Sequence, residues 1–308
     1  MMRPAIAIAF VLSIIACKSS GPNPGDDDDD VDSGVAVDAR VTEDGWTELI
    51  ARDWNIAPGA DDTYRCRRVQ VNQDMWVTGF RAIAPLGTHH TVVTISNGGT
   101  TGDYDCQAGS LDMKMLYASG VGTEELAFPT GVAMKIQAGQ YVNLNLHLFN
   151  ATDDPLIGHS GIEVKLVPAA DVVHEADMTF AGSLNFEILP GDNREVYGGC
   201  RLTSDWHIFT LWPHMHQYAK HQKVVITETG KTPVTLLDDA YSFFEQKNYP
   251  MAEMLLPSGT RIDVTCKYNN NTDPPQTITF GDSSNQEMCF TGIYKWPAGG
   301  NLFQCSSF

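Results

Sequence analysis

Two imidazoles two residues apart, His214-Met215-His216, are the first feature that could do chemistry. On a strand, residues i and i+2 leave the same face, so both rings project side by side as a chelating pair requires. Pro213 just before them marks a strand edge or end. His89-His90 poses the opposite problem. Neighbours on a regular strand point to opposite faces, so these two can share an ion only where the backbone bulges. Leu86-Gly87 upstream supplies a place for that. His147 ends an alternating segment in which Val142, Leu144, Leu146 and Leu148 line one face and Asn143, Asn145 and His147 the other. That polar face is either exposed to solvent or lines a site. Met288, in Glu287-Met288-Cys289, adds a thioether. A thioether is a soft donor suited to Cu(I), and imidazole serves both copper oxidation states. The remaining histidines, His159, His174, His207 and His221, share no such pattern and read as surface or satisfied core residues.

The elements that must position these groups read as β. Short alternating segments are broken by Gly, Pro, Asn and Asp: Arg68 to Val71, Met75 to Ala84, Thr91 to Ser96, Tyr141 to Phe149, Gly161 to Val167, His207 to Trp212, Lys223 to Thr227, Arg261 to Tyr268 and Gln276 to Phe280. No segment keeps a helical period over about twelve residues. Many short strands with frequent turns predict sandwiches or barrels. A boundary falls near Pro168 to Asp177, giving an amino-terminal domain over 43–170 and a carboxy-terminal domain over 171–308.

Ahead of that body the chain carries an address. Arg3 gives a positive start, and Ala5 to Ile15 form an apolar stretch too short to span a bilayer as a mature helix. The stretch ends in Ile14-Ile15-Ala16-Cys17, which resembles a bacterial lipobox. Residues 1–17 are therefore expected to be a signal peptide with Cys17 as lipidated residue; a plain secretory signal is the alternative. Both export the chain. Lys18 rather than Asp follows Cys17, which favours the outer membrane of a bacterial envelope. The membrane is then met only through the lipid anchor. Residues 18–42, with the run Asp26 to Asp30, form a disordered acidic linker.

The formal charge of −18 repels phosphate backbones, which argues against nucleic acid as a partner. The chain has seven cysteines. Without Cys17 the remaining six, Cys66, Cys106, Cys200, Cys266, Cys289 and Cys305, read as three disulfides in an oxidising compartment. Six cysteines allow 15 pairings, and spacing chooses none of them. None stands in a C-x-x-C pair, which weighs against a thiolate zinc site.

Taken in order, His-His, a strand ending in Leu-His, His-x-His and Glu-Met-Cys resemble the ascorbate-dependent type II copper monooxygenases, the family of the peptidylglycine and dopamine hydroxylating enzymes. The likeness covers about Asp62 to Lys295 and is densest from Trp212 to Ile293, through Pro257-Ser258-Gly259-Thr260-Arg261 and Phe280-Gly281-Asp282-Ser283-Ser284. The resemblance implies two tandem jelly-roll-like β-sandwich domains facing across a wet cleft, with two copper ions per chain. His89, His90 and His147 would hold the electron-donating copper. His214, His216 and Met288 would hold the one that binds oxygen. It also implies the bridges Cys66–Cys106, Cys200–Cys305 and Cys266–Cys289. Ascorbate would be the reductant, with O2 and a small molecule as substrates for C–H hydroxylation. An envelope copper-binding lipoprotein without turnover is the alternative function. In peptide-specific members an arginine before His-x-His and a tyrosine after Glu-Met-Cys grip the substrate; here Trp212 and Gly292 stand there. Trp212 cannot pair with a carboxylate, which argues against a carboxy-terminal peptide. Asn145 stands near where a polar residue lines the family's first copper cleft.

Overall fold

The computed structural model describes residues 44–307 apart from 61, 111–113, 244, 282 and 284. Cys17, its signal peptide and the linker to residue 42 lie outside the described residues. In chain order the first strands are β1 Thr47–Ile56, β2 Thr63–Gln70, β3 Met75–Ile83, β4 Thr88–Ser96, β5 Gly102–Asp105, β6 Lys114–Gly120, β7 Leu126–Ala127, β8 Val132–Ile136, β9 Tyr141–Leu148 and β10 Leu156–Leu166. After a single 3₁₀ turn at Ala169–Asp171 come β11 His174–Ser183, β12 Glu187–Ile188, β13 Asn193–Arg201, β14 Trp206–His214, β15 Ala219–Thr227, β16 Val234–Ala240, β17 Tyr249–Leu256, β18 Arg261–Asn269, β19 Ile278–Thr279, β20 Cys289–Trp296 and β21 Cys305–Ser307. No α-helix occurs among the described residues.

Alternation builds the sheets. In β18, Ile262, Val264, Cys266 and Tyr268 are buried while their neighbours are not, the pattern of a strand with one face on a core. A five-stranded sheet runs β5-β2-β9-β4-β6 and a four-stranded one β13-β18-β15-β16. Both pack on one larger sheet, ordered β1-β10-β3-β8-β11-β20-β14-β17. The expected all-β sandwich architecture is what forms. The two sandwiches are not merely apposed: β8 pairs in parallel with β11 through His174↔Val132, Glu175↔Ala133 and Ala176↔Met134, so one sheet continues through both halves. The described residues accordingly fall in one contact unit.

Continuity has a consequence for burial. In β11, β14 and β20 nearly every residue is buried, on both faces. One face, with Ile208, Leu211 and Ile293, joins the core of the second sandwich. The other, with Phe180, Trp212 and Phe290, joins the core that also holds Leu144 and Leu146 of β9. Parallel and central strands buried on both faces lose the simple alternation that marks a half-exposed strand.

The disulfides are Cys66–Cys106, Cys200–Cys305 and Cys266–Cys289. Cys200–Cys305 ties the last strand, β21, to β13. The buried Lys295 reinforces that end. Its ammonium donates to Asp177 Oδ1 at 2.7 Å and to the carbonyls of Pro297 and Gly299. A buried ammonium without such partners would be strongly destabilising.

Candidate metal centre

Strands β4 and β9 are antiparallel neighbours, and their register slips between Thr88 and His90. Thr88 faces Leu148 and His90 faces His147, which leaves His89 as the extra residue of a bulge. The bulge is what lets two consecutive histidines turn to one ion site. Gly87 before it has φ +100°, and a Cβ there would come within 2.7 Å of the Trp54 ring, so glycine is required twice over.

The result is a convergence of three Nδ1 atoms. His89 and His90 approach to 3.1 Å, His89 and His147 to 3.3 Å, and His147 and His90 to 3.4 Å. All three histidines offer ligand atoms within 4.8 Å of one another. Neutral imidazoles carry one N–H and one lone pair, so donors and acceptors cannot alternate around a ring of three. A cation that takes all three lone pairs removes that conflict. Burial holds the rings neutral. It pushes His89 down to about 4, with help from His147, and lowers His147 as well. It also lowers His90 well below the usual histidine value, reinforced by His89, His147, His214 and His216. No proton therefore has to be stripped from an imidazolium at neutral pH before a metal binds.

Asp62 sets the third ring. Its carboxylate lies 2.9 Å from His147 Nε2, which puts the proton there and leaves Nδ1 free. Asp62 has φ +39° and is the only non-glycine residue with positive φ among those described, a strained conformation of the kind found where geometry serves a site. Tyr64 stacks on the same ring at 4.6 Å and 8°.

The second group is assembled from strand ends and loops. His214 closes β14 and His216 follows in the turn. Met215 between them is fully buried in the second core, so the two imidazoles share the other side, as their spacing predicts. Both rings are fixed through Nδ1: His214 donates to Gln246 Oε1 at 2.9 Å and His216 to the Gln286 carbonyl at 2.9 Å. Each thus keeps a lone pair on Nε2. Burial pushes His214 down to about 4 and His216 to about 3.

Met288 lines the same cavity as both rings. Its carbonyl accepts from Tyr268 Oη at 2.7 Å, and the Cys266–Cys289 bridge follows immediately. Glu287 braces the two segments against each other. Its carboxylate accepts from the backbone N–H of His216 at 2.8 Å, of Tyr218 at 2.7 Å and of Met288 at 3.3 Å. Burial raises Glu287 to about 8 against the pull of those N–H groups. Tyr241 clamps the middle of the motif, accepting from Met215 N–H and donating to the Met215 carbonyl.

One side chain links the groups. Gln246 Nε2 donates to His90 Nε2 at 2.7 Å while its Oε1 accepts from His214. That donation leaves the His90 proton on Nδ1, inside the trio. An amide has one donating and one accepting end, so Gln246 cannot free Nδ1 of His90 and Nε2 of His214 together. Phe243 packs nearby, with ring centroids 4.9 Å from His89 and 5.3 Å from His90. Residues of both halves line a cavity of about 140 Å³ with largely apolar walls.

Asn143 and Asn145 are buried rather than exposed. They donate to carbonyls of Gln107, Ala108 and Ser110, pinning that loop over β9. Asn145 also lines the cavity. His159 sits between Asp53 and Glu48, His207 beside Glu253 and His221 beside Asp238, while His174 and His207 stack on Trp296. These four serve packing and surface pairs. Asp62, Gln246, Glu287, Tyr241 and Phe243 carry no sequence pattern that marks them except Glu287, whose place beside Met288 was visible.

Fold and donor set define a β-sandwich protein with clustered, neutral imidazoles suited to a borderline or soft ion. Residues 183–307 match the family model of the copper type II ascorbate-dependent monooxygenase, C-terminal domain. His214, His216 and Met288 fall inside the matched span; His89, His90 and His147 precede it. Among solved structures, the chain is similar to a protein from Eubacterium rectale described as secreted (8% identity, 80% of this chain and 68% of that one, TM-score 0.21). It is also similar to the tandem CBM22 domains of Paenibacillus barcinonensis Xyn10C (10%, 83% and 95%, TM-score 0.19). At those scores the overlaps carry no argument.

Proposed function

We propose that the chain is a copper-dependent monooxygenase that holds one ion with His89, His90 and His147 and a second with His214, His216 and Met288. The observation that supports this most is the meeting of three Nδ1 atoms within 3.4 Å in the half that precedes the family match. Copper would supply one-electron chemistry and activation of O2. The chain's own residues keep the imidazoles neutral by burial, fix their tautomers and limit water with apolar walls. The reaction is R–H + O2 + 2 e⁻ + 2 H⁺ → R–OH + H2O. Two ascorbate molecules would each give one electron and one proton. The protein would be exported, and lipidation at Cys17 would anchor it to the envelope.

The test is oxygen uptake by copper-loaded protein with ascorbate, across phenethylamines, glycine-extended peptides and small aromatics. Uptake that depends on a substrate and yields its alcohol is expected. Two bound coppers with no turnover on any of them would favour copper storage instead.

A further inference from the structure

The cavity beside Met288 has an unusual lining for a protein of such acidity. Among the described residues, no Asp, Glu, Lys or Arg side chain contributes to it. Apart from the histidines, Tyr64 and Trp212, its polar members are engaged: Ser119 with Thr91, Asn145 with the 107–110 loop, and Gln246 with two histidines. Opposite stands a continuous aromatic wall. Phe180 stacks on Phe290 at 5.0 Å, Phe290 meets Phe303 at 5.5 Å, and Phe180 meets Trp212 at 6.2 Å. Trp212 stacks in turn on His214 at 4.8 Å and 17°, so the wall ends on a proposed ligand.

Trp212 and Gly292 are cross-strand partners. A Cβ on Gly292 would lie 3.3 Å from Trp212 Cε3 and 3.1 Å from Met178 Sδ. The indole therefore fills the space over Gly292, and a large side chain there is excluded while Trp212 is present. At the two positions where peptide-specific enzymes would grip a charged substrate, this chain thus has an indole packed over a glycine, and Trp212 faces the cavity. The buried Trp212 Nε1 has no partner among the described residues, leaving one neutral donor.

We propose that this cavity is the substrate pocket and takes an uncharged, apolar molecule of about one aromatic ring, lying against Phe180, Trp212, Phe290 and Phe303 with its reacting C–H toward Met288. This rests on the monooxygenase reading for the chemistry but not for the binding. A volume of about 140 Å³ fits such a ligand, since apolar cavities of about 150 Å³ admit benzene. In the metal-free protein, an ammonium or carboxylate would lose its hydration and find no ionised side chain among the described residues that line the cavity.

Metal-free, full-length protein is titrated with ethylbenzene, benzylamine and benzoate, and binding is read by calorimetry and by the shift in melting temperature. Ethylbenzene should bind at least about tenfold tighter than either charged analogue. Ala118→Leu, which fills the cavity, should abolish that binding. Leu302→Asp, which adds a carboxylate to the lining, should move the preference toward benzylamine. Equal or tighter binding of benzylamine or benzoate by the unaltered protein overturns the proposal, as does no binding of ethylbenzene. Because copper and oxygen are absent, ethylbenzene binding without later turnover would count against the monooxygenase reading alone.

Discussion

The two ligand groups are built on different principles. In the first, strand register does the positioning: a bulge at His89 and the pairing of His90 with His147 bring three Nδ1 atoms together. In the second, strand β14 delivers His214 and then stops, and hydrogen bonds from loops do the rest. Gln286 and Gln246 hold the rings by Nδ1, so they present Nε2 instead. Glu287 and the Cys266–Cys289 bridge hold Met288. A sheet-built site is hard to deform, because moving one ligand breaks ladder hydrogen bonds. A loop-built site is freer to shift, although both groups border the cavity, the first through His90 and His147 and the second through His214, His216 and Met288. Under the proposed monooxygenase reading, the rigid group would supply electrons and the loop-built one would face the substrate.

Deleting a ligand should break this division most sharply. His216→Ala is expected to leave one copper per chain and reduce turnover to background, while the first group keeps its metal; metal analysis with oxygen uptake checks both. Next in size, Asp62→Ala frees the His147 tautomer. It should weaken copper at the first group by about 10–100-fold, the usual effect of losing such an orienting partner, and leave the second unchanged in competitive chelator titrations.

Acid should affect metal-free protein at both groups. The unfolded chain takes up protons at the ordinary histidine pKa of about 6.5, whereas folded His89 and His214 resist until about 4 and His216 until about 3. The unfolded state binds more protons in that window, so stability falls as pH drops from about 6.5 toward 4. Thermal unfolding of metal-free protein should show a loss of several degrees that copper loading suppresses. The smallest effect is expected from Gln246→Ala. Removing its one net hydrogen bond to His90, about 1 kcal/mol, should tighten copper at the first group by about fivefold. An unchanged affinity would mean that the amide does not oppose metal binding.

Much of this was legible in the sequence because it is local. The alternation of Val142, Leu144, Leu146 and Leu148 set the face of His147, and the His-His pair required a bulge that the register slip supplies. The spacing of His214 and His216 put both opposite Met215. What was not legible depends on segments distant in sequence. Asp62 reaches His147 only because Tyr64 pairs with it across β2 and β9. Gln246 and Phe243 arrive on a loop without pattern. The polar face of β9 gave no sign that Gln107 to Ser110 would cover it. Nor could alternation reveal that β11, β14 and β20 are covered on both faces, or spacing choose among disulfide pairings.

The central claim, two unlike copper sites in one chain, is tested most directly by X-ray absorption of the reduced, copper-loaded protein with and without Met288→Ile. Two coppers per chain are predicted, with a sulfur scatterer at one of them that disappears in the variant while the imidazole signal persists. A single copper, or a reduced spectrum without sulfur that the substitution leaves unchanged, would contradict it.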